Sequence, residues 1–251
     1  MSALAGKTAV VTGSSRGVGA ATAKLLAEQG ANVVINYRQK APRANKVVAE
    51  IEAAGGRAVA VGADLTDAEG VKALMQTAID SFGSLDLLVL NASGGMEADL
   101  GEDYAMRLNR DAQNDALTAG LERLSQGGRV VFVTSHQAHF IDEVETMPEY
   151  ELVAKSKRAG ETALTQRIGE MSEKGVSFVV VSGDMIEGTV TATLLNRARP
   201  GALEARREAA GKLYSVEEFA AEVASMAAAD VETGHIELVG GAEDFLARTK
   251  A

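Results

Sequence analysis

The glycine-rich segment T-G-S-S-R-G-V-G, residues 12–19, constrains the fold more than any other part of the sequence. It follows an apolar run that ends at Val11, and it leads into a segment, 17–29, whose pattern predicts a helix. A strand, a glycine-rich turn and a helix start place unpaired backbone N–H groups at the positive end of the helix, where a pyrophosphate binds. Glycine is needed because a Cβ atom would hold the phosphate away from the backbone. The segment therefore predicts a dinucleotide site.

Apolar runs alternate with helix-like segments along almost the whole chain. Seven runs are predicted as strands: Lys7–Val11, Asn32–Asn36, Ala58–Gly62, Leu85–Leu90, Arg129–Thr134, Ser177–Val181 and Ile236–Val239. The segments 17–29, 41–54, 67–82, about 102–125 and about 150–173 are predicted as helices. The strands are apolar at consecutive positions, which is typical of parallel strands covered on both faces. We therefore expect one α/β domain over 1–251: a three-layer, doubly wound parallel sheet of about seven strands.

Composition excludes several classes of function. The 251 residues include 35 acidic and 25 basic side chains, a net charge of −10, which argues against nucleic acid as a partner. The absence of cysteine excludes disulfides, thiolate metal sites and a cysteine nucleophile. No uncharged apolar stretch approaches the ~18 residues of a membrane span, and the first strand begins too early for a signal peptide. We expect a cytoplasmic protein with no membrane partner and no metal.

The least regular part of the chain is 184–214. It contains Gly188, Pro200 and Gly201 and a charged stretch at 204–208. Because it lies between the sixth strand and a late helix, it is a candidate for a mobile lid over a substrate; a solvated surface excursion is the alternative.

Ligands of such sheets bind beyond the carboxyl ends of the strands, so the residues at those ends are candidate ligands. Where an Asp or Glu after the second strand would accept hydrogen bonds from the ribose of NAD, this chain has Arg38. Arg16 lies inside the glycine-rich loop. Two guanidinium groups favour the 2′-phosphate of NADP, so NADP(H) is the expected cofactor. Asp64, after the third strand, can accept from the adenine amino group.

Four motifs together resemble the short-chain dehydrogenase/reductase family: T-G-x-x-x-G-x-G at 12–19, D-L at 64–65, N-A-S at 91–93 in place of the usual N-N-A-G, and T-G-H-I-E-L-V-G-G at 233–241. The resemblance spans nearly the whole chain. It implies a single Rossmann-type domain, a nicotinamide cofactor, carbonyl/alcohol chemistry on a small molecule, and a homodimer or homotetramer. The expected cofactor-binding residues are Gly13, Ser15, Arg16, Gly17, Val18, Gly19, Arg38, Asp64, Leu65, Asn91, Ala92, Ser93 and Lys157.

The catalytic residues that the resemblance implies are only partly present. Asn109, Ser135 and Lys157 match the family's asparagine, serine and lysine. Four residues before Lys157, where the family's Y-x-x-x-K has its proton-donating tyrosine, this chain has Val153. The nearest tyrosine is Tyr150, about 10 Å from Lys157 along a continuous helix, against about 6 Å for the usual spacing. It reaches the site only if the helix begins late or kinks.

Three interpretations follow from this departure. Tyr150 acts as the acid, because Pro148 allows a late helix start; or His136 or His139 in the preceding loop supplies the proton; or the fold binds NADP without reductase chemistry. The first two make the chain an NADP-dependent oxidoreductase that interconverts a carbonyl and an alcohol. The third makes it an NADP-binding sensor or assembly partner.

Overall fold

The computed structural model describes residues 3–96, 101 and 103–247. The remaining residues of the predicted domain 1–251, and residue 102 of the predicted helix at about 102–125, lie outside this part.

One parallel sheet forms the centre of the molecule. Its strands are β1 (Thr8–Val11), β2 (Asn32–Tyr37), β3 (Arg57–Gly62), β4 (Leu85–Leu90), β5 (Leu124–Ser135), β6 (Ser177–Gly183) and β7 (His235–Val239). They lie in the order β3-β2-β1-β4-β5-β6-β7, and every adjacent pair is parallel. The chain reverses its direction of winding between β1 and β4, the position where ligands of doubly wound folds bind. The expected fold class is confirmed.

Helices connect the strands and cover both faces of the sheet. They are α1 (Gly17–Glu28), α2 (Ala41–Ala53), α3 (Ala68–Phe82), α4 (Tyr104–Met106), α5 (Ala112–Leu121), α6 (His136–His139), α7 (Glu151–Thr165), α8 (Ile168–Glu173), α9 (Val190–Ala198), α10 (Ala202–Ala210), α11 (Val216–Met226) and α12 (Glu243–Leu246). No described helix combines the length and apolarity that crossing a bilayer requires.

Two apolar cores lie on opposite faces of the sheet, because successive strand residues point in opposite directions. Val10 belongs to the core under α3 and α5, whereas its neighbour Val11 belongs to the core under α1, α2 and α11. Both valines are fully buried. This two-sided burial explains the consecutive apolar positions of the strands.

Two of the predicted long helices are interrupted. The segment expected to be helical at about 102–125 contains α4, a π-helical turn at Arg107–Asp111 and α5, and it ends at Leu121 because β5 begins at Leu124. The prediction for β5 at Arg129–Thr134 was therefore too short, since Leu124 pairs with Leu85 before a register shift. The segment at about 150–173 divides into α7 and α8.

Candidate active site

The glycine-rich loop forms an open turn at the start of α1. Gly13 and Gly17 have φ values of 63° and 56°, in the left-handed region that favours glycine. At Gly19 a Cβ atom would lie 2.5 Å from Asn91 Nδ2, so the loop packs directly against the end of β4. Arg16, at the N-cap of α1, forms no side-chain cap, and the first turn holds no acid. The N–H groups at this terminus therefore fit a pyrophosphate.

Two residues that are not among the expected cofactor-binding residues hold this loop in place. Asn36 accepts a hydrogen bond from the Gly13 N–H at 3.0 Å and donates to the Ala63 carbonyl at 3.1 Å. The Thr12 hydroxyl accepts from the Asn91 N–H at 2.9 Å and donates to the Val89 carbonyl at 3.2 Å. These bonds join the carboxyl ends of four strands. The only sequence signal was the presence of short polar side chains where buried strands end.

The two candidate phosphate-binding arginines differ in their contacts. Arg16 is exposed on the glycine-rich loop. Arg38 is also exposed, but its guanidinium donates to the hydroxyl of the buried Tyr104 and lies over that ring, 5.5 Å from the centroid. One bond of this kind leaves four of the five guanidinium N–H groups for another acceptor. Tyr104 therefore orients Arg38 beside the carboxyl end of β2.

The residues after β3 have different structural roles. Asp67 caps α3 by accepting from the Glu69 and Gly70 N–H groups, both at 3.3 Å. Asp64 is thus not the helix cap, and its carboxylate accepts from the Thr66 N–H and hydroxyl instead. Leu65 is buried in the core under α3.

One cavity of about 150 Å³ brings six of the candidate residues together. These six are Val18, Asn91, Ser93, Ser135, Tyr150 and Lys157. Apolar residues from the segment after β6 line the other side, including Met185, Ile186 and Leu195. The cavity lies beyond the carboxyl ends of β4, β5 and β6.

Tyr150, rather than Val153, lines this cavity. Tyr150 ends a single 3₁₀ turn, Pro148–Tyr150, and α7 begins only at Glu151. The helix thus starts late, and the phenol is 5% exposed with its oxygen 3.5 Å from Ser135 Oγ. Val153 is 3% exposed and packs in an apolar cluster. A Cβ atom placed on Gly95 would lie 3.3 Å from Cγ2 of Val153.

Burial changes the acidity of the two titratable groups. It lowers the pKa of the Lys157 ammonium to about 8, although the Glu161 carboxylate one helical turn away raises it. It also raises the pKa of the Tyr150 phenol, a change that the hydrogen bond with Ser135 opposes. Tyr150 is therefore protonated at neutral pH, whereas the pKa of Lys157 lies close to neutral pH.

The Asn109 side chain connects two elements that line the cavity. Its carbonyl oxygen accepts from the Gly94 N–H at 3.2 Å, and its amide nitrogen donates to the Gly94 carbonyl and to Ser156 Oγ. A Cβ at Gly160 would lie 2.0 Å from the Asn109 backbone carbonyl, so α7 crosses the π-helical turn at this glycine. The asparagine side chain joins the loop after β4 to α7.

The two histidines considered as proton donors are not among the cavity-lining residues of the described chain. His136 is 1% exposed; its Nε2 lies 3.1 Å from the Gly241 carbonyl and its Nδ1 2.8 Å from Ser182 Oγ. Because a carbonyl only accepts, Nε2 carries the proton, and burial lowers the pKa of this ring. His139 Nδ1 lies 2.7 Å from the Glu161 carboxylate.

The covering segment at 184–214 lines the cavity with residues between Asp184 and Leu195, and α10 packs against α9. Leu195 packs in the same apolar cluster as Tyr150. At the start of the segment, Asp184 accepts at 2.6 Å from Nε of Arg206, which is 6% exposed. The Glu187 N–H, also near the start, donates at 2.9 Å to the carbonyl of Tyr214 at the end of the segment. These two contacts therefore join the start of the covering segment to its later part, at Arg206 and Tyr214.

The family model for the short chain dehydrogenase matches residues 7–199. This chain belongs to the short-chain dehydrogenase family. The matched residues include Ser135, Tyr150 and Lys157, so the whole β5–α7 side of the cavity lies within the part shared with this family.

Individual relatives agree with this assignment. The chain is 32% identical over 204 residues to versicolorin reductase 1 of Dothistroma septosporum, covering 79% of this chain and 76% of that one. It is 38% identical over 187 residues to a probable tetrahydroxynaphthalene reductase of Zymoseptoria tritici, covering 72% and 68%. A short chain dehydrogenase from Burkholderia cenocepacia, solved in complex with NADP, has a TM-score of 0.81 and 31% identity, covering 95% and 98%.

Proposed function

We propose that this short-chain dehydrogenase uses NADPH to reduce the carbonyl group of a small molecule, with Tyr150 as the proton donor. One observation carries the proposal: the Tyr150 hydroxyl lies 3.5 Å from Ser135 Oγ in a cavity that Lys157 also lines. Reduction of a carbonyl requires an acid at the developing alkoxide and a neutral hydrogen bond to hold the oxygen. Tyr150 and Ser135 have those capacities.

The cofactor assignment is supported by the shape and charge of the glycine-rich loop. The uncapped start of α1 would hold the pyrophosphate, and Arg16 and Arg38 would hold the 2′-phosphate. The B. cenocepacia relative was solved with NADP, and a metagenomic blue fluorescent protein with a TM-score of 0.80 and 28% identity was solved with NADPH. When bound, the reduced nicotinamide supplies a hydride to the carbonyl carbon.

The proton chemistry of the chain's own residues follows from burial. The raised pKa of Tyr150 keeps the phenol protonated and ready to donate as negative charge develops on the substrate oxygen. Lys157, with a pKa of about 8, is mainly a cation at pH 7, and a cation in the same cavity favours the phenolate that forms when Tyr150 donates its proton. Ser135 donates to the same substrate oxygen. The covering segment at 184–214 excludes water, which strengthens each of these interactions.

The cavity lining favours an apolar or aromatic carbonyl compound. Met185, Ile186 and Leu195 form one wall, and thioethers and aliphatic chains pack well against flat rings. A related protein is named as a probable reductase of tetrahydroxynaphthalene, an aromatic bicycle. We propose that 184–214 opens to admit such a substrate.

Turnover tests the proposal. NADPH consumption is measured with a panel of aromatic ketones and quinones for the wild type and Tyr150→Phe, and NADPH affinity is measured by calorimetry. We expect Tyr150→Phe to abolish turnover and to leave NADPH affinity within about twofold, because the phenol acts on the substrate. NADPH binding without turnover of any substrate would favour the alternative, a cofactor-binding sensor or assembly partner.

We also propose a homodimer or homotetramer, on the basis of the family resemblance. Light scattering at micromolar concentration tests it, and a particle with the mass of one chain would contradict it.

A further inference from the structure

Gln137 is a cavity-lining residue that the proposed chemistry does not use. It lies two residues after Ser135 and lines the same cavity as Tyr150. Its side chain is 9% exposed, so its polar atoms require partners within the protein or from a ligand.

The orientation of the Gln137 amide is fixed by its neighbours. Its carbonyl oxygen accepts from the Thr146 hydroxyl at 2.5 Å and from the Met147 N–H at 3.3 Å. A backbone N–H only donates, so a half turn of the amide would lose the bond from Met147 and set two donors against each other. The oxygen therefore faces Thr146 and the Met147 backbone, and the nitrogen lies on the side of the Met147 thioether.

The amide nitrogen lacks a strong acceptor among the described residues. Its one contact is the thioether of Met147 at 4.0 Å, and a thioether is a weak acceptor. The amide has two N–H groups, so at least one is unused. A buried donor without a partner costs about 1–3 kcal/mol, which a ligand oxygen in the cavity would recover.

We infer that Gln137 is a specificity-determining residue that donates a hydrogen bond to a second oxygen of the substrate, distinct from the carbonyl that is reduced. The inference rests on the proposed function. It narrows the substrate class to carbonyl compounds with another oxygen acceptor near the reacting group. Thr146 and Met147 act as positioning groups, because they hold the amide with its nitrogen available.

A matched pair of probes tests this inference. Acenaphthenequinone and acenaphthenone share one ring skeleton and differ by a single carbonyl oxygen. The ratio of their kcat/KM values with NADPH is measured for the wild type, for Gln137→Leu and for Gln126→Leu. Gln126 is exposed near the opposite end of β5, so it controls for the same chemical change outside the cavity.

We expect Gln137→Leu to lower the quinone-to-ketone ratio about tenfold or more, since the second oxygen loses its donor in a water-poor site. Comparing this ratio between variants cancels the difference in intrinsic reactivity between the two probes. Thr146→Val leaves the glutamine in place but removes one of the two donors that orient its amide, so the ratio should fall severalfold. Because Thr146 is only half-buried, we expect Thr146→Val to fold, and it keeps the test decisive if Gln137→Leu does not fold. Gln126→Leu should leave the ratio unchanged.

An unchanged ratio in Gln137→Leu overturns the inference. If Gln137→Leu does not fold, an unchanged ratio in Thr146→Val overturns it. In either case the observed turnover leaves the proposed function intact. Should the wild type reduce neither probe, the substrate panel decides the proposed function, and calorimetry on the complex with NADP⁺ decides the inference separately. Tighter binding of the quinone that is lost in Gln137→Leu supports it. Equal binding of the two probes, or no binding, overturns it.

Discussion

Replacing Lys157 with methionine should stabilise the fold, because the lysine places a charge in a buried site. Lys157 is 9% exposed, and burial lowers the pKa of its ammonium from 10.5 to about 8. Below pH 8 the charged form predominates in both the folded and the unfolded chain, so the folded state bears the full desolvation cost. Each factor of ten in proton affinity corresponds to about 1.4 kcal/mol. The difference between 8 and 10.5 therefore predicts a gain of roughly 3 kcal/mol for Lys157→Met at pH 7.

This gain must shrink as the pH rises. Between about pH 8 and 10.5 the folded lysine has released its proton and the unfolded lysine still holds it. The unfolded chain then binds more protons, so the stability of the wild type increases with pH and approaches that of the variant. Linkage predicts a remaining gain of roughly 1.4 kcal/mol at about pH 9.5.

Urea unfolding of the cofactor-free protein at pH 7 and at about pH 9.5 measures both values. Lys155→Met is the matched control, because Lys155 lies on the same helix, is 61% exposed and pairs with Glu151. Its effect should stay within about 0.5 kcal/mol at both pH values. Comparison with this control removes the titration of other groups. For a chain of this size the gain at pH 7 corresponds to an increase in Tm of about 6–12 °C.

A variant that is no more stable than the wild type at pH 7 would refute the desolvation reasoning. A gain of equal size at both pH values would refute it as well, because better packing of methionine does not depend on pH.

Three further predictions address the site. Val153→Tyr should destabilise the chain by about 1–3 kcal/mol in thermal unfolding and should not restore turnover to Tyr150→Phe, because position 153 is buried in a packed cluster; recovered turnover would contradict this. Arg38→Asp should weaken NADPH binding by roughly 2 kcal/mol or more in calorimetry and spare NADH; equal losses would show that Arg38 does not select the cofactor. Glu161→Gln should move the alkaline limit of reductase activity to lower pH, because loss of this carboxylate lowers the pKa of Lys157 further; an unmoved limit, as expected for the exposed Glu151→Gln, would contradict it.

The sheet could be predicted from the sequence because the central strands are apolar on both faces, a local pattern that can be recognised without knowing which strands are neighbours. The interruptions of the two long helices could not be predicted in this way. The π-helical turn at Arg107–Asp111 exists where α7 crosses at Gly160, and that crossing brings together residues some fifty positions apart. Helix propensity alone predicts a continuous helix there.

The glycines of the cofactor loop were predictable because a positive φ or a close approach leaves few alternatives to glycine. Asn36 and Thr12 were not, since their importance lies in bonds to residues on other strands. Gln137 was missed for the same reason. Its availability depends on two donors from the loop before Tyr150, and neither donor is recognisable from the sequence.

The spacing of tyrosine and lysine in Y-x-x-x-K is one way to place a phenol beside an ammonium on a regular helix. In this chain the tyrosine precedes the helix: the 3₁₀ turn ends at Tyr150, so the phenol's direction is set by the turn and not by the helical repeat of α7. Val153 occupies the usual tyrosine position but serves the apolar packing between α7 and the covering segment. A missing motif residue therefore does not by itself remove its chemical group from a cavity. For such chains the informative question is whether a phenol shares a cavity with the serine and the lysine, as Tyr150 does here with Ser135 and Lys157.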